Sequence, residues 1–333
     1  MRMNLPPGWV TCVSKQYSTT YYFDTQTGES TWIQPTEPVD RGQKRGYDRA
    51  ESGAGKRFRN ELGSEDNVKV SVAIVVPFRD LDAAQQRQKH LERFVPYMVE
   101  FMSRQRVDFH VYIVEQPDDQ RKFNRGKLLN IGFDLAKKDG CTAFVFHDVD
   151  LLPSQGLGRW YSYIPKCPVH IARVWGRYSG SPSYFGGVVA FSREQFELIN
   201  GFPNTFWGWG GEDDNMYRRL QEVGLQTTAP DEREGTFTDL EDMSIQDKLS
   251  LLKQNASWKC VIKKEVAKQW GDWQENGLTG RLGLTYSELG RQSLHDHCTK
   301  VTVEVQLNNH WTDSAESWDD VEHLRQKGVL PQK

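Results

Sequence analysis

The run Phe144-Val-Phe-His-Asp-Val-Asp-Leu-Leu-Pro153 constrains the fold more than any other stretch. Its apolar part has strand length and stops abruptly at His147, Asp148 and Asp150, the pattern of a buried strand that delivers polar groups at its end. Asp148 and Asp150 are two residues apart, so persistent extended geometry would set both carboxylates on one face. Two hard oxygen ligands at a strand end suit Mg²⁺ or Mn²⁺, which keep coordination places open for substrate phosphates. Asp-x-Asp also occurs at ordinary solvated strand ends, so the weight falls on what surrounds it.

The surroundings alternate strand with helix. Val70-Ser-Val-Ala-Ile-Val-Val76 is a continuous apolar run ending at Pro77-Phe-Arg79, as expected for a strand buried on both faces. Residues 85–103 carry helical spacing at Leu91, Phe94, Val95, Met98 and Phe101, interrupted by Pro96. Phe109 to Glu115 reads as a second strand, and Phe123-Asn-Arg-Gly-Lys-Leu-Leu-Asn130 opens a helix to Lys138. This order predicts an α/β domain with a mainly parallel sheet, and ligands of such sheets sit beyond the carboxyl ends of the strands. Both Pro77-Phe-Arg79 and His147 to Asp150 lie there.

Tyr184-Phe-Gly-Gly187 then leads into a strand (Val188 to Phe191) and a helix (Arg193 to Leu198). Phe206-Trp-Gly-Trp-Gly-Gly-Glu-Asp-Asp214 follows, running into a helical Asn215 to Leu220. Capping carboxylates are common at helix starts. Two tryptophans interleaved with glycine directly before three of them are not, and aromatic faces suit sugars.

Residues 5–38 form a unit of their own. Leu5-Pro-Pro-Gly-Trp9, a Tyr21-Tyr-Phe23 strand and Ser30-Thr-Trp32-Ile-Gln-Pro35 predict a three-stranded meander. So few residues bury little, and a clasp of Trp9, Tyr22 and Pro35 has to substitute for a core. Residues 39–66 read as a basic flexible linker: Arg41-Gly-Gln-Lys-Arg45 and Lys56-Arg-Phe-Arg59 are either a nuclear-import address or, the reading preferred here, a solvated tether. Residues 67–307 form the large domain, with a closing strand at Thr299 to Val305, and 308–333 a polar tail. The net charge of −3 argues against nucleic acid as partner, and five scattered cysteines without a Cys-x-x-Cys argue against a zinc module. No apolar run is long enough to span a membrane, which predicts a cytoplasmic or nuclear location for the chain as written.

Residues 5–38 closely resemble a WW domain. That resemblance implies a groove of Tyr21 and Trp32 for proline-rich partners, with Trp9, Tyr22 and Pro35 structural. The family often has Asn-His after the aromatic triplet; Asp24 and Thr25 stand here and leave the ligand class open. Further on, Val75-Val-Pro-Phe-Arg79, Phe123-Asn-Arg125, Lys127-Leu-Leu-Asn130, Phe146-His-Asp-Val-Asp150, Phe185-Gly-Gly187 and Trp207-Gly-Trp-Gly-Gly-Glu-Asp-Asp214 resemble, in order and spacing, the β-1,4-galactosyltransferase family. Tyr217-Arg-Arg219 is similar to its proteoglycan-linker branch.

The resemblance implies a GT-A type fold and metal-dependent inverting transfer of galactose, or a related hexose, from UDP-galactose or a similar donor, with Mn²⁺ (or Mg²⁺), to a glycan or glycoprotein acceptor. By position it implies donor binding by Pro77, Phe78, Arg79, Arg125, Asp148, Val149 and Asp150. It implies stacking or acceptor contacts by Trp209, Trp207, Gly211 and Asp214. Asp213 is implied as catalytic base, with Glu212 beside it, and Asp150 with Asp148 as metal ligands.

The chemistry fits these residue types independently. Displacing a nucleotide from an anomeric carbon needs one proton removed from the incoming hydroxyl, and one carboxylate does this. The chain departs where the family completes its metal site with His or Met: Gly235-Thr-Phe-Thr-Asp-Leu-Glu-Asp-Met243 occupies that place with no His, but with Asp239, Glu241, Asp242 and Met243. These carboxylates, with Asp242 the weakest extra ligand, would favour harder ions, or else the site is incomplete. His295-Asp-His297 is read as structural. Where the family tends to have a bulky aromatic before Phe-Gly-Gly, the small Ser181-Pro-Ser183-Tyr184 predicts a roomier donor pocket that could admit N-acetylgalactosamine or glucose. Family members are anchored in the Golgi, a location that would require an anchor absent from the chain as written. The alternative reading is an impaired transferase fold that acts as an adaptor through its WW domain.

Overall fold

The computed structural model describes residues 9–13, 20–24, 30–31, 69–80, 85–119, 121–179, 184–244, 247, 250 and 270–305. The chain divides into two compact units, Met1–Asp66 and Asn67–Lys333. In the first, β1 (Trp9–Val13), β2 (Thr20–Asp24) and β3 (Ser30–Thr31) form an antiparallel meander in that order. Its register sets Trp9 opposite Asp24, Cys12 opposite Tyr21, and Tyr22 opposite Thr31. Trp32, the linker, Ser181 to Ser183 and the polar tail lie outside the described residues.

The second unit is built on a seven-stranded sheet. Its elements are β4 (Ser71–Phe78), α1 (Arg87–Ser103), β5 (Asp108–Glu115), α2 (Arg125–Lys138), β6 (Ala143–His147), β7 (Leu151–Pro153), β8 (Val169–His170), α3 (Gly176–Ser179), β9 (Val188–Ser192), α4 (Arg193–Leu198), α5 (Glu212–Glu222), β10 (Phe237–Asp239), β11 (Tyr286–His295) and β12 (Cys298–Val305). The order across the sheet is β11-β12-β5-β4-β6-β9-β8. The four central strands, β12, β5, β4 and β6, are parallel; the strands at both margins are antiparallel.

The apolar run at β4 reads as it does because both faces are covered. Val72, Ile74 and Val76 enter one core with Leu91, Phe94 and Met98 of α1, whereas Ala73 and Val75 enter the other with Leu128, Leu129 and Phe133 of α2. Pro96 stands inside α1 without ending it. α2 starts on Asn124, whose side chain accepts from the Lys127 amide at 3.0 Å, and ends on Lys137 and Lys138, the basic pair a helix C-terminus favours. Ser192 and Gln195 close a capping box on α4.

A buried amide network carries the chain from α4 to α5. Asn130 Nδ2 donates to Phe202 O and Asn204 Oδ1, and Asn204 Nδ2 donates to the carbonyls of Gly277 and Leu282. From α5, Arg219 donates to the carbonyls of Asn200, Gly201 and Asn276 at 3.0, 2.8 and 2.6 Å. Burial lowers its pKa to about 9, and no carboxylate takes part in that shift. The guanidinium thus ties the last turn of α5 to loop carbonyls outside any strand or helix, with Asn200 O accepting from the Leu278 amide as well.

Candidate functional site

The extended geometry expected through Asp148 and Asp150 does not persist. β6 ends at His147, the Asp148 amide donates to Gly187 O at 3.0 Å, and a turn brings the Leu151 amide back to Asp148 O at 3.3 Å. The turn sends the two carboxylates to different partners. Asp148 Oδ1 accepts from Arg125 Nε and Nη2 at 3.0 and 2.8 Å; Asp150 Oδ2 accepts from Arg87 Nη1 at 2.7 Å. Val149 between them is buried in the core.

Arg125 joins this strand end to α5. Its Nη1 donates to Asp213 Oδ1 at 2.9 Å and lies 3.7 Å from Glu212 Oε1. The other Asp213 oxygen accepts from the Tyr184 hydroxyl at 3.2 Å. The fit is close on that side: a Cβ at Gly186 would sit 2.3 Å from Asp213 Oδ2 and 2.5 Å from the Tyr184 hydroxyl, so a larger residue there would displace the Asp213–Tyr184 pair. Glu212, Asp213 and Asp214 occupy the first turn of α5, where the helix dipole favours negative charge. Gly211 precedes them at φ 109°, a left-handed conformation that suits glycine. Burial pushes Asp213 up to about 8; Arg125 opposes the shift, and Glu212 and Asp148 add to it.

The third carboxylate group is assembled by strand pairing. β7 and β10 form a two-stranded antiparallel sheet with Leu151 opposite Asp239, and the Leu240 amide donates to Asp150 O at 2.7 Å. One oxygen from each of Asp150, Asp239 and Glu241 therefore lies within 4.8 Å of the others, the one such cluster among the described residues. All-oxygen donors in this spacing fit a hard divalent cation. Asp148, tied to Arg125, and Asp242, exposed with φ 45°, are not in the cluster, although the sequence reading names both as ligands. Arg87 Nη2 donates to Glu241 Oε1 at 3.0 Å, and Arg177 Nη2 to Asp239 Oδ2 at 2.9 Å. Burial, with Asp150 next, raises the Asp239 pKa.

Pro77 and Phe78 end β4 opposite Val114 and Glu115, and Phe78 is buried. Arg79 follows, donating to Arg121 O at 2.7 Å; burial lowers its pKa against the pull of Asp119. The tryptophan pair separates. Trp209 is 51% exposed and free to stack on a ring, but Trp207 is 1% exposed and packs in the core beside α2. Its assignment to sugar stacking is therefore corrected: a ring without an accessible face supports the wall and does not meet ligand. His295 and His297 lie at the other end of the parallel strands, since Cys298 next to them pairs with Val111 near the start of β5.

Sequence reasoning missed Arg87, Arg177 and the contact from Tyr184. The arginine that opens α1 and the tyrosine before Phe-Gly-Gly were the available signals, and neither says which carboxylate it meets.

The comparisons with known proteins agree with this geometry. A model described as the N-terminal region of glycosyl transferase group 7 matches residues 62–161, one described as the N-terminal domain of galactosyltransferase matches 167–242, and a WW domain model matches 5–35. Such a sheet with acidic groups beyond its strand ends is that of a GT-A type glycosyltransferase. The chain belongs to the β-1,4-galactosyltransferase family and carries a WW domain ahead of that fold.

β-1,4-Galactosyltransferase 1 of Bos taurus is 42% identical over 241 residues, 70% of this chain and 54% of that protein. Its Mus musculus counterpart is 42% identical over 163 residues, 48% of this chain and 39% of that protein. The chain thus spans about half the length of these relatives. The catalytic domain of Drosophila β1,4galactosyltransferase 7, solved with xylobiose, is 31% identical with a TM-score of 0.56, over 72% of this chain and 95% of that one. A mutant of the same enzyme is solved with manganese, UDP-Gal and xylobiose, at 30% identity and the same TM-score of 0.56.

Proposed function

We propose that this protein transfers galactose, or a closely related hexose, from a UDP-sugar to an acceptor hydroxyl with inversion, and that its WW domain recruits proline-rich partners. The observation that carries the reading is Asp213. It is a half-buried carboxylate at a helix start, held by Arg125 and Tyr184, four residues after an exposed Trp209 and facing a strand end rich in Arg and Asp.

In this reading the acceptor sugar lies against Trp209 and its hydroxyl meets Asp213. The carboxylate takes the hydroxyl proton while the oxygen attacks the anomeric carbon. The bond from that carbon to the diphosphate breaks, UDP leaves, and a single displacement inverts the centre. Arg79, directly after β4, and Arg87, at the start of α1, stand on the side of the sheet where a diphosphate would accumulate charge. When bound, a divalent cation held by Asp150, Asp239 and Glu241 supplies further positive charge against the leaving group. The manganese and UDP-Gal bound by the Drosophila relative support this choice of donor, and its xylobiose makes a β-xyloside the first acceptor to try.

Asp213→Asn keeps the shape of the site and removes the proton acceptor. Transfer is expected to fall by roughly two to four orders of magnitude with UDP binding retained. The check is radiolabelled transfer to a xyloside alongside calorimetric UDP titration, and turnover at the wild-type rate would remove Asp213 as base. For the WW domain, Trp32→Ala is expected to abolish binding of a proline-rich peptide while leaving transfer unchanged.

A further inference from the structure

The carboxylates placed for a cation are already spanned by one from the chain itself. Arg87 stands at the first position of α1, and its two terminal nitrogens reach two different members of the cluster, Asp150 at 2.7 Å and Glu241 at 3.0 Å. All three side chains are largely shielded: 18% exposed for Arg87, 12% for Asp150 and 7% for Glu241. Burial works against the charge on Arg87, and Asp150 and Glu241 overcome it, so the guanidinium remains charged. Arg177, on the third carboxylate, is anchored elsewhere as well: it lies 4.3 Å from the Trp175 ring centre and also donates to Met243 O.

We propose that Arg87 is a resident counter-cation of this cluster, and that a divalent ion and the Arg87 guanidinium exclude one another from Asp150 and Glu241. The inference rests on the proposed reading of these carboxylates as a metal seat. It differs in what it measures. An ion held at about 2.0–2.6 Å would draw on the same two carboxylates that now face Nη1 and Nη2, and a dication there repels the guanidinium at short range. Charge points the same way. Three carboxylates against two guanidinium groups leave one net negative charge; exchanging Arg87 for a dication makes the cluster neutral. Adding the dication with Arg87 in place would leave it net positive in a poorly solvated site.

The competition has a direct consequence: metal affinity in the resting protein is set below what three carboxylates would otherwise give. Titration of the full chain with Mn²⁺ alone, followed by the electron paramagnetic resonance signal of the free ion and by calorimetry, reads this without turnover. Arg87→Gln is expected to tighten Mn²⁺ binding by roughly ten- to a hundredfold, the scale of two charge-assisted hydrogen bonds released from competition. Arg87→Lys, which keeps a charge but cannot span both carboxylates, should fall between, and it carries the test if the glutamine variant does not fold. Adding Glu241→Gln to Arg87→Gln should remove the gain.

Equal affinity in wild type and both Arg87 variants, or no Mn²⁺ binding in any of them, overturns the proposal. So does tight binding that survives loss of Glu241. UDP-sugar turnover is assayed separately, so a protein that transfers sugar without this competition fails here alone. A protein that shows the competition but never turns over fails the catalytic reading alone.

Discussion

Burial disfavours the ionised form of Asp213, Arg125 at 2.9 Å favours it, and Glu212 and Asp148 tip the balance back, leaving its pKa at about 8. A base with that value is mostly protonated at neutral pH. The expected kcat/KM for transfer therefore rises with pH and levels off above about 8, and a profile flat from pH 6 to 9 would contradict the assignment. Stability carries the opposite sign. The unfolded aspartate ionises near about 3.9, so between that value and about 8 the native state holds a proton that the unfolded state has released. This group's contribution then falls as pH rises through the window. Asp213→Asn removes the slope, so its Tm relative to wild type should climb as pH is raised from about 5 to 8, which differential scanning calorimetry checks; a constant difference would sink the shift. Asp213 as a candidate was legible in the sequence from Trp-Gly-Gly-Glu-Asp-Asp. Its setting was not, because Arg125 and Tyr184 reach it from other elements.

At the scale of elements, what the sequence revealed was local. The apolar runs of β4 and β6 and the spacing of α1 and α2 need only neighbouring residues to be read, and the structure follows them closely. Pro96 looked like a break, yet the buried face of α1, from His90 and Leu91 to Met102, carries the helix through it. The carboxylate cluster was harder to see because β10 reaches β7 across a long stretch of intervening chain, and the turn after β6 redirects Asp148.

Two predictions belong here. Trp207→Ala opens a cavity in a close-packed core and should cost about 3–5 kcal/mol, whereas Trp209→Ala should leave stability nearly unchanged and raise the acceptor KM. Urea denaturation with acceptor kinetics separates them, and equal destabilisation would contradict the buried and exposed roles. Arg219→Met takes the guanidinium from the carbonyls of Gly201 and Asn276 and leaves Asn200 O with the Leu278 amide alone. A loss of about 3 kcal/mol or more in urea denaturation is expected; a variant as stable as wild type would show that the network does not hold α5.

Over the whole molecule, a small β unit and a large α/β unit stand as separately compact parts, Met1–Asp66 and Asn67–Lys333. No helix among the described residues is long and apolar enough to cross a membrane. The family was legible from motifs spread between Val75 and Asp214. That Asp239 and Glu241 stand in a segment without His was visible only as a departure from the family pattern. Removal of residues 1–66 is expected to leave UDP binding by the remainder within about twofold, because the second unit has its own two-faced core.

The measurement that meets the central claim most directly is calorimetric titration of the full chain with UDP-galactose, with and without Mn²⁺, while free UDP is followed in the same samples. Binding that strengthens with Mn²⁺ and slowly releases UDP is the predicted result. Absence of binding under both conditions would contradict a working donor site and leave the WW domain as the functional part.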